Sequence, residues 1–456
     1  MEVTRALARF IVGHHGADIP ETVRREAARS FLNWVGCAVG GSRHETVERS
    51  LAALGEFSGP RVATVLGRGE RLDVMLAALM NGITSHTFDF DDTHLKTVIH
   101  PSGPVASAIL ALAERSPVSG ADFLHAFILG VEAECRIGNA VYPSHYDVGW
   151  HITGTAGVFG AAAAAGRLLG LTEQQMTWAL GIAATQSSGL REMFGTMTKP
   201  FHPGNAARNG LLAAILAKAN FTSSNQGIEA PRGFAHVLAS ERDLSQITDR
   251  LGETWEIALN TYKPFACGIV IHPAIDGCIQ LRNEHQLKAG DITTISLGVH
   301  PLVLELTGRK TPGVGLEGKF SVYHSVAAAI IHGAAGEAQY SDAVVRDPAV
   351  IALRDRVTAT VKPGVREDQV HVSIKLKDGR TLDKFIEHAV GSVDRPMTDA
   401  QLEEKFSGLA SGILSVGETD RLIGLCRDIG KLKDAAEVAR ASVPAATLNR
   451  VDRRLG

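Results

Sequence analysis

The stretch Ser85-His86-Thr87-Phe88-Asp89-Phe90-Asp91-Asp92-Thr93-His94, followed closely by His100-Pro101-Ser102-Gly103, sets three carboxylates beside three imidazoles. Asp oxygens and His nitrogens together suit a zinc, manganese or ferrous ion. Without an ion the same groups move protons, and as an acidic helix cap on a solvated turn they do neither. His151, in Gly149-Trp150-His151-Ile152-Thr153-Gly154-Thr155, opens an Ala/Gly-rich run. An imidazole at the positive end of a helix dipole is favoured in its neutral form, which suits a proton carrier or a cap. Lys199 lies in Gly195-Thr196-Met197-Thr198-Lys199-Pro200-Phe201-His202-Pro203-Gly204, a segment whose turn residues predict a loop. Met197, Pro200 and Phe201 desolvate that lysine, so it acts as a base or stays charged to hold a carboxylate. A similar lysine, Lys263, is followed by Pro264-Phe265-Ala266-Cys267-Gly268, with His272-Pro273 behind it.

These groups need a scaffold, and up to about residue 287 the pattern is helical. Apolar residues recur at three- and four-residue steps over 24–39, 71–85, 103–114, 120–142, 154–169, 172–187, 204–218 and 231–238. Ala and Gly stand where Leu is usual, as in GTAGVFGAAAAAGRLLG, which predicts helices in close contact. Beyond Gly290 strand-like alternation begins, at 292–299, 356–361, 369–376 and 381–388, with a helix at 321–333. Lys377-Asp378-Gly379-Arg380 reads as a tight hairpin turn. Residues 399–434 return to helical periodicity. The expected fold is mainly α: a large all-helical domain formed by residues 1–287 and 399–456, carrying an inserted α+β lid domain at 288–398. Gly313-Val314-Gly315-Leu316-Glu317-Gly318 fits GxGxxG, but Lys310 and Pro312 separate it from the preceding apolar run and no βαβ unit surrounds it. A flexible loop is expected there.

Composition removes other classes. The 456 residues carry 46 Lys+Arg against 49 Asp+Glu, a net charge of −3, so no basic field invites nucleic acid as a partner. Five cysteines without a CxxC give no disulfide scaffold, zinc knuckle or iron–sulfur ligand set. GxSxG, Walker A and HExxH motifs are missing. The start shows no secretory h-region, and the longest uncharged stretches are too rich in Gly, Ala, His, Gln and Ser to span a bilayer, so a cytoplasmic protein without a membrane partner is expected.

Together HTFDFDDTH, HPSGP, the His151 segment, GTMTKPFHPGNAARNG, YKPFACGIVIHPAID and GKFSVYHSVAAAI resemble the MmgE/PrpD family across nearly the whole chain. The resemblance implies a homodimeric enzyme without metal or other cofactor, acting on a small polycarboxylate. It implies a pocket holding Asp89, Thr93, His100, His151, Lys199 and Lys263. Of these, Asp89, His100, His151 and Lys199 are the expected catalytic groups. Thr93 and Lys263 are expected to bind substrate, with His272 from a segment that varies in the family. Family decarboxylases also use a tyrosine on the lid side, for which Tyr323 and His324 stand here. The expected reaction is elimination from a citrate-like acid, as in 2-methylcitrate dehydratase. The alternatives are decarboxylation or epimerisation of a related diacid, and a non-catalytic helical interaction protein. Abstracting a proton beside a carboxylate needs a base and cations that stabilise the enediolate, and the histidines and lysines supply both.

Overall fold

Helices rich in small residues pack until their backbones nearly touch. In the computed structural model, which describes residues 2–445, helices Val74–His86, Ser102–Arg115, Gly120–Val141, Ile152–Leu168 and Thr198–Lys218 form the centre of the helical part. A Cβ on Gly82 would fall 2.4 Å from the Cα of Gly204, and one on Gly130 would fall 2.8 Å from the Gly160 carbonyl oxygen. Only glycine permits these crossings. Helices Asp399–Ala410 and Val416–Arg427 return to pack on helix Glu21–Gly41. One buried apolar core accordingly joins residues from Val3 to Tyr262 with residues from Met397 to Ala439. Residues 446–456 of the expected helical domain lie outside the described residues. No helix among the described residues is long and apolar enough to cross a membrane.

The strand-patterned segments form one four-stranded sheet, in the order Val357–Val361, Ile292–Val299, Val370–Leu376, Thr381–Ile386. The first two strands are parallel and the other pairings antiparallel. Gly379, at φ 92°, makes the hairpin turn between the last two. Helix Val322–His332 lies in the crossover between the parallel strands, and helix His272–His285 packs on it and on the hairpin. The second apolar core therefore begins at Phe265 and ends at Ala389, with Cys37 and Phe90 reaching in from the helical part. Gly313–Gly318 differs from the expected flexible loop. Residues Gly315–Gly318 are a short helix, the Gly313 and Gly315 amides donate to Glu317 and Asp342, and a Cβ on Gly315 would meet the Tyr340 carbonyl at 1.9 Å. Backbone crowding, rather than freedom, explains that glycine.

Two local features position the functional groups. Lys199 is in the first turn of helix Thr198–Lys218, which begins six residues before the expected helix and contains Pro203. Lys199-Pro200 and His202-Pro203-Gly204 look like helix breakers, yet the Gly82–Gly204 crossing holds the segment helical. Strand Asp92–His94 pairs antiparallel with Asn260–Tyr262, Thr93 opposite Thr261. Asp92 reinforces this bridge, its Oδ2 accepting from the Ser102 hydroxyl and from Asn260 Nδ2. Lys263, the next residue, is thereby delivered to the Asp89 turn.

Candidate active site

After helix Val74–His86 the chain turns at Asp89, whose φ of 51° is a left-handed value that aspartate tolerates. Asp89 Oδ1 stands 2.8 Å from Lys199 Nζ and 2.7 Å from Lys263 Nζ, and all three side chains are buried. Burial alone would raise the Asp89 carboxyl. Lys199, then Lys263, reverse that and hold it well below the usual carboxylate range. Burial lowers the Lys199 ammonium, with Asp89 opposing the shift.

Asp91 faces the other way and brackets two imidazoles. His86 Nδ1 lies 2.7 Å from its Oδ2, and His100 Nδ1 lies 3.3 Å from its Oδ1. His100 Nδ1 is also 3.4 Å from Thr93 Oγ1, while Nε2 turns toward Asp89 at 4.0 Å. The carboxylate that orients an imidazole is therefore Asp91. Asp89, expected as a catalytic group, serves the lysines. His151, at the start of helix Ile152–Leu168, stacks near His86 and meets His202 Nδ1 to Nδ1 at 2.8 Å. Burial lowers all four imidazoles: His86 and His202 to about 4, His100 against the pull of Asp91, and His151 well below its ordinary value with His202 and Lys199 adding to the effect. At neutral pH these rings are uncharged and able to accept protons.

Asp89, Thr93, His100, His151, Lys199 and Lys263 line one cavity of about 40 Å³, closed by walls that include Val98, Tyr146, Phe194 and Phe320. Pockets that enclose a ligand usually measure hundreds of Å³, so this cavity as it stands is too small to hold one. Two wider cavities adjoin it. One, about 640 Å³, shares Val98, Ile269 and Val270, and the other, about 750 Å³, shares Phe194, Leu306 and Phe320. Val98 has a φ of 53°, a strained value for a β-branched residue, in the wall between the site and the 640 Å³ cavity.

Three expected substrate-binding residues are not in the small cavity. His272, itself buried, lines the 640 Å³ cavity. Tyr323 and His324 line none of these cavities; His324 Nε2 is 3.0 Å from the Gln339 carbonyl, and Phe320 is the residue of that segment that reaches the site. Sequence reasoning weighed His86 and Asp91 only as members of the cluster at 85–94 and gave His202 no role. His202 stands three residues after Lys199, a spacing that points to one face once the segment is helical.

His86, Asp89, Asp91 and His100 bring one ligand atom each within 4.8 Å of one another, the arrangement a cation could use. The Asp89 oxygen, however, already carries two ammonium groups, and a divalent ion there would sit against both. The donor set with its lysines suits an anion better.

The MmgE/PrpD N-terminal domain model matches residues 5–247, and the MmgE/PrpD C-terminal domain model matches residues 265–429. The cis-aconitate decarboxylase of Homo sapiens is 29% identical over 454 residues, covering 95% of this chain and 93% of that protein. The cis-aconitate decarboxylase of Aspergillus terreus is 28% identical over 447 residues, 91% of each chain. A mitochondrial 2-methylcitrate dehydratase of Yarrowia lipolytica is 24% identical over 456 residues, 92% of this chain and 86% of that protein.

Proposed function

The chain belongs to the MmgE/PrpD family, and from that premise we propose that it is a lyase of small polycarboxylates that moves protons with its own side chains. The observation that carries this reading is the pair of buried ammonium groups sharing one Asp89 oxygen in a cavity that also presents His100 and His151. Two cations against one carboxylate leave positive charge for a substrate carboxylate. A buried ammonium with a lowered pKa is also a better proton donor than a free lysine.

In this reading His100 is the base. With its proton on Nδ1 beside Asp91, its Nε2 is bare toward the cavity. Lys199 is the acid. In a decarboxylation the bond from carbon to a carboxylate breaks, carbon dioxide leaves, and the electron pair on the remaining carbon takes a proton from Lys199. In an elimination His100 takes the carbon proton, the electron pair becomes the double bond as the C–O bond breaks, and Lys199 protonates the departing hydroxyl. Decarboxylation is preferred because the relatives named for it share more identity with this chain than the named dehydratase does. Elimination from a citrate-like acid is the second reading, favoured because Tyr323 and His324 are not among the residues lining the cavity.

A site of 40 Å³ must open to admit such an acid. We assign the opening to the α+β segment at 288–398, with helix His272–His285 moving as part of it because the two share one core. Arg191, paired with Glu305 across this boundary, is its latch. A homodimer in the cytoplasm completes the proposal; the five free, buried cysteines suit a reducing compartment. Proton NMR of the purified protein with cis-aconitate, citrate, 2-methylcitrate and iminodisuccinate tests the reaction. Loss of the vinylic signal of cis-aconitate with carbon dioxide release is expected, and no turnover of any of the four refutes the lyase reading.

A further inference from the structure

Three consecutive carbonyls, those of Phe88, Asp89 and Phe90, each accept a hydrogen bond from a different lysine ammonium. Lys319 Nζ is 2.7 Å from Phe88 O, Lys263 Nζ 3.0 Å from Asp89 O, and Lys405 Nζ 2.6 Å from Phe90 O. The left-handed turn at Asp89 leaves these carbonyls outside any helix or strand ladder, and buried carbonyls must be satisfied somewhere. The two outer lysines do more than cap them. Lys319 also donates to Ala266 O at 2.9 Å, and Lys405 also donates to Lys263 O at 2.8 Å. Each therefore ties the turn that carries Asp89 to the segment that carries Lys263.

An ammonium has three donors. Those of Lys319 are used by Phe88 O, Ala266 O and Glu337, and those of Lys405 by Asn33 Oδ1, Phe90 O and Lys263 O. Neither lysine lines the cavity, so neither is available to substrate. Lys405 Nζ also stands 3.9 Å from the centre of the Phe90 ring, a cation–π contact that steadies the far side of the turn. The two lysines arrive from separate places: Lys405 from helix Asp399–Ala410, Lys319 from the segment just before helix Val322–His332.

We infer that Lys319 and Lys405 are positioning residues, a two-sided clamp that holds Asp89 in its left-handed turn so that one carboxylate oxygen meets both Lys199 and Lys263. The clamp rests on the reading of those three residues as the substrate-facing groups. Asp89 pairs with both cations at under 3 Å, and a displacement near 1 Å at such a site is expected to cost about 10²-fold in rate.

The test uses Lys405→Gln and Lys319→Gln in the full chain, with two readouts. The first is the pH profile of kcat/KM on whichever acid the wild type turns over. A relaxed turn withdraws Asp89 from Lys199, the Lys199 ammonium loses the anion that opposes its lowering, and the alkaline limb moves to lower pH by at least about half a unit. A lysine that only stabilises the fold lowers the melting temperature and leaves the limb in place. The second readout needs no substrate: the ε-¹³C resonance of Lys199 in lysine-labelled protein, assigned by its loss in Lys199→Arg, should titrate at lower pH in both variants. A wild type without turnover overturns the lyase reading while the resonance still decides the clamp. An unchanged Lys199 titration in folded variants overturns the clamp, and so does failure of both variants to fold, which would assign the lysines to stability alone.

Discussion

Replacing Asp91 with asparagine removes the charge between His86 and His100 with little change of shape. In the resting enzyme both imidazoles are neutral, so the variant loses one hydrogen bond to a charged acceptor, that of His86 at 2.7 Å, worth about 1.5–3 kcal/mol of stability. During turnover the loss is larger. In an elimination, where His100 accepts the carbon proton, it becomes a cation 3.3 Å from Asp91, and at an effective dielectric constant of about 20 that pair is worth ~5 kcal/mol. A tenfold rate change corresponds to about 1.4 kcal/mol, and the asparagine carbonyl retains part of the attraction, so kcat should fall by about 10³-fold. Steady-state kinetics across pH 5–9, beside thermal melts of the same preparations, separate the two effects. The melting temperature should drop by a few degrees, KM should stay within a few-fold, and the acid limb should move lower because His100 loses the anion that raises it. A kcat within tenfold of wild type, with the acid limb unmoved, would show that His100 is not the base or that Asp91 does not support it.

Lys199→Ala should lose about 10²–10⁴-fold in turnover while the fold persists, as expected for removal of an acid–base group, and circular dichroism with single-turnover kinetics checks both halves. Stability should fall as pH drops from 6.5 toward 4, because burial depresses His145 to about 4 in the folded protein; its contribution is complete above 6.5, is lost as the pH approaches 4, and amounts to ~3 kcal/mol. Urea unfolding at several pH values measures this, and His145→Gln should flatten part of the slope. A bound polycarboxylate should slow amide hydrogen exchange in helix Pro301–Thr307 and around Arg191, the two sides of the Arg191–Glu305 contact; protection confined to the helical motifs would remove the closure from the proposal.

What was legible in the sequence follows the range of the forces involved. The eight-residue strand Ile292–Val299 and the hairpin at Asp378-Gly379 were predicted closely, because alternation and a positive-φ glycine are local properties. The long Ala/Gly helices were legible for the same reason. The first turns of the helix that carries Lys199, residues 198–203, were not, since their two prolines argue locally for a loop and the contact that overrides them, Gly82 against Gly204, joins residues more than a hundred positions apart. Helix His272–His285 is not among the segments singled out by periodicity, and which core it joins depends on a sheet formed later in the chain.

The site divides along the same line. Asp89, Thr93, His100, His151, Lys199 and Lys263 were named from motif resemblance, and the structure brings all six to one cavity. Their division of labour needed coordinates. Asp89 and Asp91 are two residues apart and equally acidic on paper, yet the left-handed turn at Asp89 sends its carboxylate to the lysines while that of Asp91 goes to the imidazoles. The three-residue strands that align Thr93 with Thr261 are too short to carry any periodic signal, and without them Lys263 has no reason to meet Asp89. Tyr323 and His324 are placed differently: they lie in helix Val322–His332, where His324 Nε2 stands against the Gln339 carbonyl, while Phe320, just before that helix, reaches the cavity. Residue type can thus name the participants of a buried polar site, whereas the φ of one aspartate and the facing of one helix turn decide which proton each can reach.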